Sequence, residues 1–134
     1  MGNTLKVAGR GAIVGQAGQQ IVYPGETIAA DVVWLNSGLA FIAPVFRLDI
    51  RESGLFVGWQ EGPWITSPGA APGAQATVTP FRPVPSNWRT GITIDVKLMV
   101  QGIEGSVWEE SDIFLIGEPL GEVEIISVEP YVER

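Results

Sequence analysis

The sequence contains neither cysteine nor histidine among its 134 residues. Without cysteine the chain can form no disulfide, no zinc–thiolate site and no cysteine nucleophile. Without histidine it lacks the commonest general base and the commonest metal ligand in proteins. Because these are the groups on which most recognisable catalytic and metal motifs depend, we expect no catalytic residues, no metal site and no cofactor.

Basic side chains and long apolar runs are also scarce. Eight lysines and arginines stand against fifteen acids, for a net charge of −7. Because affinity for nucleic acid depends on neutralising phosphates with Lys and Arg, this balance argues against a nucleic-acid partner. No run approaches the roughly 20 apolar residues that span a bilayer, and residues 1–18 lack the apolar stretch of a secretory signal. The expected location is the cytoplasm or, for a viral protein, the virion, with an extracellular location as the alternative.

Turn residues and alternating apolar residues are abundant. The chain has 17 glycines, 10 prolines and 46% hydrophobic residues, which is typical of an all-β protein. Residues 27–36, 44–53 and 91–102 show apolar alternation, which is cleaner at 44–53 and cleanest at 91–102, so every second side chain shares one face of a strand. The predicted core faces are Ile28, Ala30, Val32 and Trp34; Phe46, Leu48 and Ile50; and Ile92, Ile94, Val96, Leu98 and Val100.

Shorter segments predict further strands. They are residues 5–14, 20–23, 55–59, 75–81, 107–116 and 122–128. The prolines from Pro80 onward should confine the strand at 75–81 to a sheet edge or end it early. Short strands separated by turns about ten residues apart predict an immunoglobulin-like Greek-key β-sandwich of seven to nine strands. We divide the chain into an N-terminal arm (1–20), the sandwich (21–117) and a C-terminal strand or tail (118–134).

The first long strand carries a resemblance to a known family. Residues 24–28 read PGETI, and the alternating strand that follows ends in an N-x-G turn at residues 36–38. A second Pro-Gly pair, at residues 72–73, precedes the strand at 75–81. Over residues 23–116 this arrangement resembles immunoglobulin-like bacterial domains of the CARDB type. The resemblance implies an adhesion-related, non-catalytic module.

Charged side chains are predicted on the outer faces of the long strands. Arg47, Asp49 and Arg51 alternate with the core residues of one strand, and Asp95 and Lys97 with those of another. If these strands pair, opposite charges on neighbouring strands should add about 0.2–1 kcal/mol each to stability. We interpret the set as a source of solubility and register rather than a site.

A separate acidic group, Glu109, Glu110 and Asp112, stands where the resembled family has an acid followed by two asparagines. Calcium takes six to eight oxygen ligands. Strand alternation lets at most two of these three carboxylates converge, so we expect a solvated strand face rather than a metal site.

Tryptophan supplies the first candidates for binding. Trp34 lies on a predicted core face, whereas Trp59, Trp64 and Trp88 stand among Gly, Pro and polar residues, and Trp108 borders the acidic strand. Such residues can anchor a protein interface, cap the open end of a sandwich or stack on sugar rings. The sequence leaves these three roles open.

The tail supplies the remaining candidates. Ile125, Ile126 and Val128 make its predicted strand apolar on both faces. Such a strand needs cover on both sides, either within the same molecule or as an arm added to a neighbouring subunit.

We expect a non-catalytic structural assembly protein, for example a capsid decoration or auxiliary protein of a virion, with itself or other structural proteins as partners. The alternative is an extracellular adhesion or carbohydrate-binding module.

Overall fold

The computed structural model describes residues 4–7, 12–13, 20–54, 56–117 and 127–132. Within these ranges the chain is all β, with eleven strands and no helix, and the strands form two sheets. The predicted all-β sandwich is confirmed. The strands are β1 (Thr4–Val7), β2 (Ala12–Ile13), β3 (Gln20–Val22), β4 (Thr27–Leu35), β5 (Val45–Glu52), β6 (Gln60–Glu61), β7 (Ile65–Thr66), β8 (Gln75–Val78), β9 (Phe81–Pro83), β10 (Thr93–Val100) and β11 (Ser106–Ile116).

The beginning of the chain contributes to both sheets. The first sheet has the order β2-β1-β4-β8, with β9 also on β4, and the second has the order β3-β11-β10-β5-β6, with β7 also on β5. Strand β1 pairs antiparallel with β4, whereas β3 pairs parallel with β11. This two-sheet arrangement, with β5, β10 and β11 side by side, is the kind found in immunoglobulin-like sandwiches.

The core follows the predicted alternation of the three long strands. Ile28, Leu48, Ile50, Ile94 and Val96 are fully buried. They belong to one cluster that joins the two sheets. Because β5 and β10 pair along their whole lengths, their apolar faces form a continuous layer opposite β4. The core faces predicted for β4 and β5, and the centre of the one predicted for β10, are confirmed.

Proline limits the strand at residues 75–81, as expected. Strand β8 ends at Val78 and β9 begins at Phe81, and both pair with β4 at the edge of the sheet. Pro80 lies between them and cannot donate a hydrogen bond, but its carbonyl oxygen accepts one from the Ala30 amide at 3.0 Å. The two segments therefore act as one interrupted edge strand.

The strand predicted at residues 55–59 is wrong. Of the described residues there, Phe56 to Trp59 form no strand, and pairing with β5 begins only at Gln60. Phe56 has a φ of 63°, which is a rare conformation for a bulky residue and costs about 1–3 kcal/mol. A short apolar run between glycines does not distinguish a strand from a protruding connection.

The predicted tail strand at residues 122–128 falls mostly outside the described residues. Of its members, Ile125 and Ile126 lie in that undescribed part, and Ser127 and Val128 belong to no strand. Residues 127–132 are exposed, with Val128 at 76%.

Candidate interaction surface

Asn36 organises the connection between β4 and β5. Its side chain is buried, and its Nδ2 donates to the carbonyl oxygens of Ala40 and Ala70, both at 2.8 Å. Its Oδ1 accepts from the Gly38 amide at 2.9 Å. Its backbone amide donates to Ala74 O at 2.9 Å. An asparagine satisfied on both amide atoms fixes the loop around it, so the connection at residues 37–44 is held in one conformation.

This fixed connection presents apolar side chains to solvent. Leu39 is 100% exposed and Phe41 is 68% exposed. The Phe41 ring lies directly against the backbone at Gly69, where any Cβ would overlap it. The next residue, Ile42, pairs with Ala70 in an isolated bridge. The apolar side chains are therefore held outward by a rigid support.

Behind this connection an open groove of about 520 Å³ enters the end of the sandwich. It lies where β4 and β10 end and β5 and β11 begin, and its lining includes Trp34, Phe46, Leu98 and Trp108. The indole of Trp34 donates to Ser67 Oγ at 2.6 Å. The indole N–H of Trp34 therefore already has an acceptor, and the part of the ring that lines the groove is apolar.

Exposed apolar side chains line the groove or lie on the connection beside it. We call this surface the apolar end: Leu35, Ile42, Ile103 and Val107 line the groove, and Leu39 and Phe41 lie on the adjoining connection, which forms its rim. Contiguous apolar patches are uncommon on monomeric soluble proteins and mark interaction sites when they are large. No pattern in the sequence predicted that these residues would form one surface. The available signal was the run Leu39-Ala40-Phe41-Ile42, four apolar residues placed after a turn where polar residues are usual.

The charged face of the second sheet pairs as expected but is not exposed. Asp95 lies opposite Arg51, and Lys97 lies opposite Asp49, so the predicted pairing is confirmed. The interpretation of Asp49 and Asp95 as solubility groups is wrong, because they are only 0% and 3% exposed. The Gly62 amide lies 3.4 Å from Asp49 Oδ1, so a later connection covers Asp49, which alternation within a strand cannot reveal.

Each buried aspartate has an arginine partner. Arg47 donates to both carboxylate oxygens of Asp49 at 2.8 Å, and its Nη2 lies 3.0 Å from Glu61 Oε2. The hydrogen bond to Asp49 raises the pKa of Arg47 above its ordinary value, despite the opposing effect of burial. Arg51 Nε donates to Asp95 Oδ2 at 2.8 Å.

Asp95 also organises a bulge in β11. It accepts from the Ser53 hydroxyl and, at 3.0 Å, from the backbone amide of Asp112, whose φ is 55°. Burial acts to raise the pKa of Asp95, but the hydrogen bonds from Ser53, Asp112 and Arg51 outweigh it and lower the pKa below 3.8. The carboxylate is therefore a structural anion.

Trp59 and Trp64 cover this charged face. The Arg47 guanidinium lies 4.6 Å from the Trp64 ring centroid, and Arg51 lies 4.4 Å from that of Trp59. Lys97 Nζ lies 4.5 Å from the same Trp59 ring. These are cation–π distances. Because cations already lie over these rings, the arrangement lends little support to sugar stacking on the same ring faces.

The other predicted candidates lie apart from one another. Trp88 and Trp108 are partly buried against the core, and only Trp108 lines the groove. The structure thus brings one of the four candidate tryptophans to the apolar end.

Within the described ranges, no group of three or more acidic side chains could hold a metal ion. The described part of the chain contains no helix that is long and apolar enough to cross a bilayer.

Comparison with protein-family models finds no matching family, and a search of curated proteins finds no match. The CARDB-type resemblance therefore stays a prediction. The apolar end is the described surface whose chemistry points most directly to binding. It offers an apolar groove, a rigid rim and few charges, which suit a protein partner better than a charged or polar ligand.

Proposed function

We propose that this chain is a non-catalytic structural protein that assembles with further copies of itself through the apolar end. A virion component, such as a capsid decoration or auxiliary protein, is one assembly of this kind and belongs to the proposal. The observation that carries it is the exposure of Leu39 and Phe41 on a connection fixed by buried Asn36. Because the backbone that carries these side chains is already fixed, little backbone entropy is lost when they bind, which favours their use as an interface.

The test is the solution mass of the full chain by light scattering over a concentration series. Leu39→Asp places a charge on the rim, where it would have to be desolvated on docking. We expect this variant to raise the dissociation constant of the assembly by at least about tenfold, equivalent to roughly 1.4 kcal/mol. Because Leu39 is fully exposed, its melting temperature should stay close to that of the parent.

The matched control is Val132→Asp, which adds the same charge to an aliphatic residue that is 75% exposed in the tail. We expect it to assemble like the parent. Loss of assembly in the tail variant alone would replace the apolar end by the tail as the interface. A parent chain that stays monomeric throughout the series would refute self-assembly.

A further inference from the structure

A second apolar feature projects from the opposite end of the sandwich. The connection between β5 and β6 starts at Ser53, whose amide donates to Thr93 O at 2.8 Å, where β10 begins. In that connection Phe56 is 102% exposed and has a positive φ of 63°. Backbone strain of this kind tends to be kept at functional positions. We call Phe56 the tip.

The tip and the groove lie at opposite ends of the long strands. Strand β5 runs from the apolar end at Val45 to the tip end at Glu52, and its eight residues span roughly 26 Å. Strand β10 runs back from Thr93 to Val100, beside the groove. One copy therefore cannot place its own tip in its own groove.

We propose that the tip of one copy inserts into the groove of a second copy. This inference rests on the proposed function and names the occupant of the apolar end. Each copy then offers one tip and one groove, so the contact is heterologous and extends into a ring or a filament instead of closing as a twofold dimer.

The groove is large enough for the tip, but the tip alone buries too little area for a stable contact. A groove of about 520 Å³ lies within the roughly 300–1,000 Å³ range of small-molecule sites, which can hold an aromatic ring. An aromatic side chain buries about 150–250 Å², far below the roughly 1,200–2,000 Å² of a stable interface. Leu39 and Phe41 on the rim must add to the contact, and a single contact is expected to be weak. Assembly should therefore depend strongly on concentration.

Charge favours tip-to-groove contact over contact between two apolar ends. Beside the tip connection, the amide of Arg89 donates to Glu52 Oε2 at 3.1 Å and its Nε lies 3.7 Å from the same oxygen, so these two charges balance each other. Glu104 is exposed in the turn next to Ile103 of the apolar end. Insertion of the tip would bring Glu104 to an end whose charges are already balanced. Two apolar ends facing each other would bring two copies of Glu104 together instead.

The experiment mixes two variants that are each defective on one side. Phe56→Ser removes the tip and keeps the groove, whereas Leu39→Asp places a charge on the rim of the groove and keeps the tip. Circular dichroism and melting establish that both fold, and Ile103→Asp provides a second groove variant on the other side of the opening. Light scattering then measures each variant alone and the two in equal amounts.

We expect the parent mass to grow beyond two copies with concentration and each variant alone to be monomeric. The mixture should form a one-to-one dimer that grows no further, because only one productive tip and groove remain. For Phe56→Ser alone, the dissociation constant should rise at least about tenfold.

Three outcomes would overturn the inference. If Phe56→Ser assembles like the parent while Leu39→Asp does not, the apolar end is an interface with a different occupant, and the proposed function stands. If the parent stops at two copies and the mixed variants fail to pair, two apolar ends face each other. If the parent is monomeric at every concentration, both the inference and the proposed self-assembly fail.

Discussion

At the scale of single residues, buried polar side chains decide the shape of the surface. Asn36 fixes the connection that carries Leu39 and Phe41, and Asp95 fixes the bulge at Asp112. A buried polar group left without partners costs about 1–3 kcal/mol, so each position strongly favours the loop conformation that satisfies it. Apolar residues fill the core, whereas these polar residues determine what the ends of the sandwich present.

The role of Asp95 leads to a prediction about pH. Hydrogen bonds lower the pKa of the folded carboxyl below 3.8. Its contribution to stability is therefore fully present above about pH 4 and is lost as the pH falls through the folded pKa. Replacement by Asp95→Asn should cost about 1.5–3 kcal/mol at pH 7, the value of a hydrogen bond to a charged group.

Urea unfolding of the parent and of Asp95→Asn at intervals from pH 7 to pH 2.5 would measure the contribution of the carboxylate to the unfolding free energy. The difference in unfolding free energy should stay constant down to about pH 5 and shrink below about pH 4. A difference that is unchanged at pH 2.5, or that grows there, would contradict the role given to the carboxylate.

At the scale of elements, local pattern predicts strands but not what covers them. The long strands β4, β5 and β10 could be predicted because each carries its own alternation. The burial of Asp49 could not, because the cover comes from the later connection that carries Trp64. The groove was missed for a similar reason, since its walls come from four strands that meet only in the folded chain.

Gly62 shows how closely that connection approaches the sandwich. Its amide donates to Leu48 O at 3.0 Å, and a Cβ at this position would overlap the carbonyl oxygens of Leu48 and Phe81. Backbone atoms on both sides cannot move without separating strands. We expect Gly62→Ala to lower the unfolding free energy by about 3 kcal/mol or more, at the upper end of the usual range for point variants.

A matched control lies in the preceding connection, between β5 and β6. Gly58→Ala would place its Cβ where no atom lies within 4 Å, so its unfolding free energy should remain within about 0.5 kcal/mol of the parent. Urea denaturation of the two variants gives the comparison. Equal stability of both would mean that the chain does not pass between β5 and β9 at Gly62.

At the scale of the whole molecule, one core carries both ends of the sandwich. Its buried cluster includes residues from both sheets, so the tip and the apolar end are carried by a single folding unit. The net charge of −7 opposes close approach of copies in general. In the proposed assembly, specific apolar contact at the two ends would have to overcome this repulsion, which would limit association to complementary surfaces.

Because one buried cluster joins both sheets, a charge placed at its centre should unfold the whole domain. Val96 is 0% exposed in the middle of β10, between β5 and β11. In Val96→Asp an unpaired carboxylate there costs several kcal/mol, comparable to the roughly 5–15 kcal/mol that stabilise a domain. We expect the loss of the cooperative thermal transition and, with it, of any assembly. Ser86→Asp, with the same charge in an exposed turn, should melt like the parent; a Val96→Asp chain that did so too would refute the core assignment.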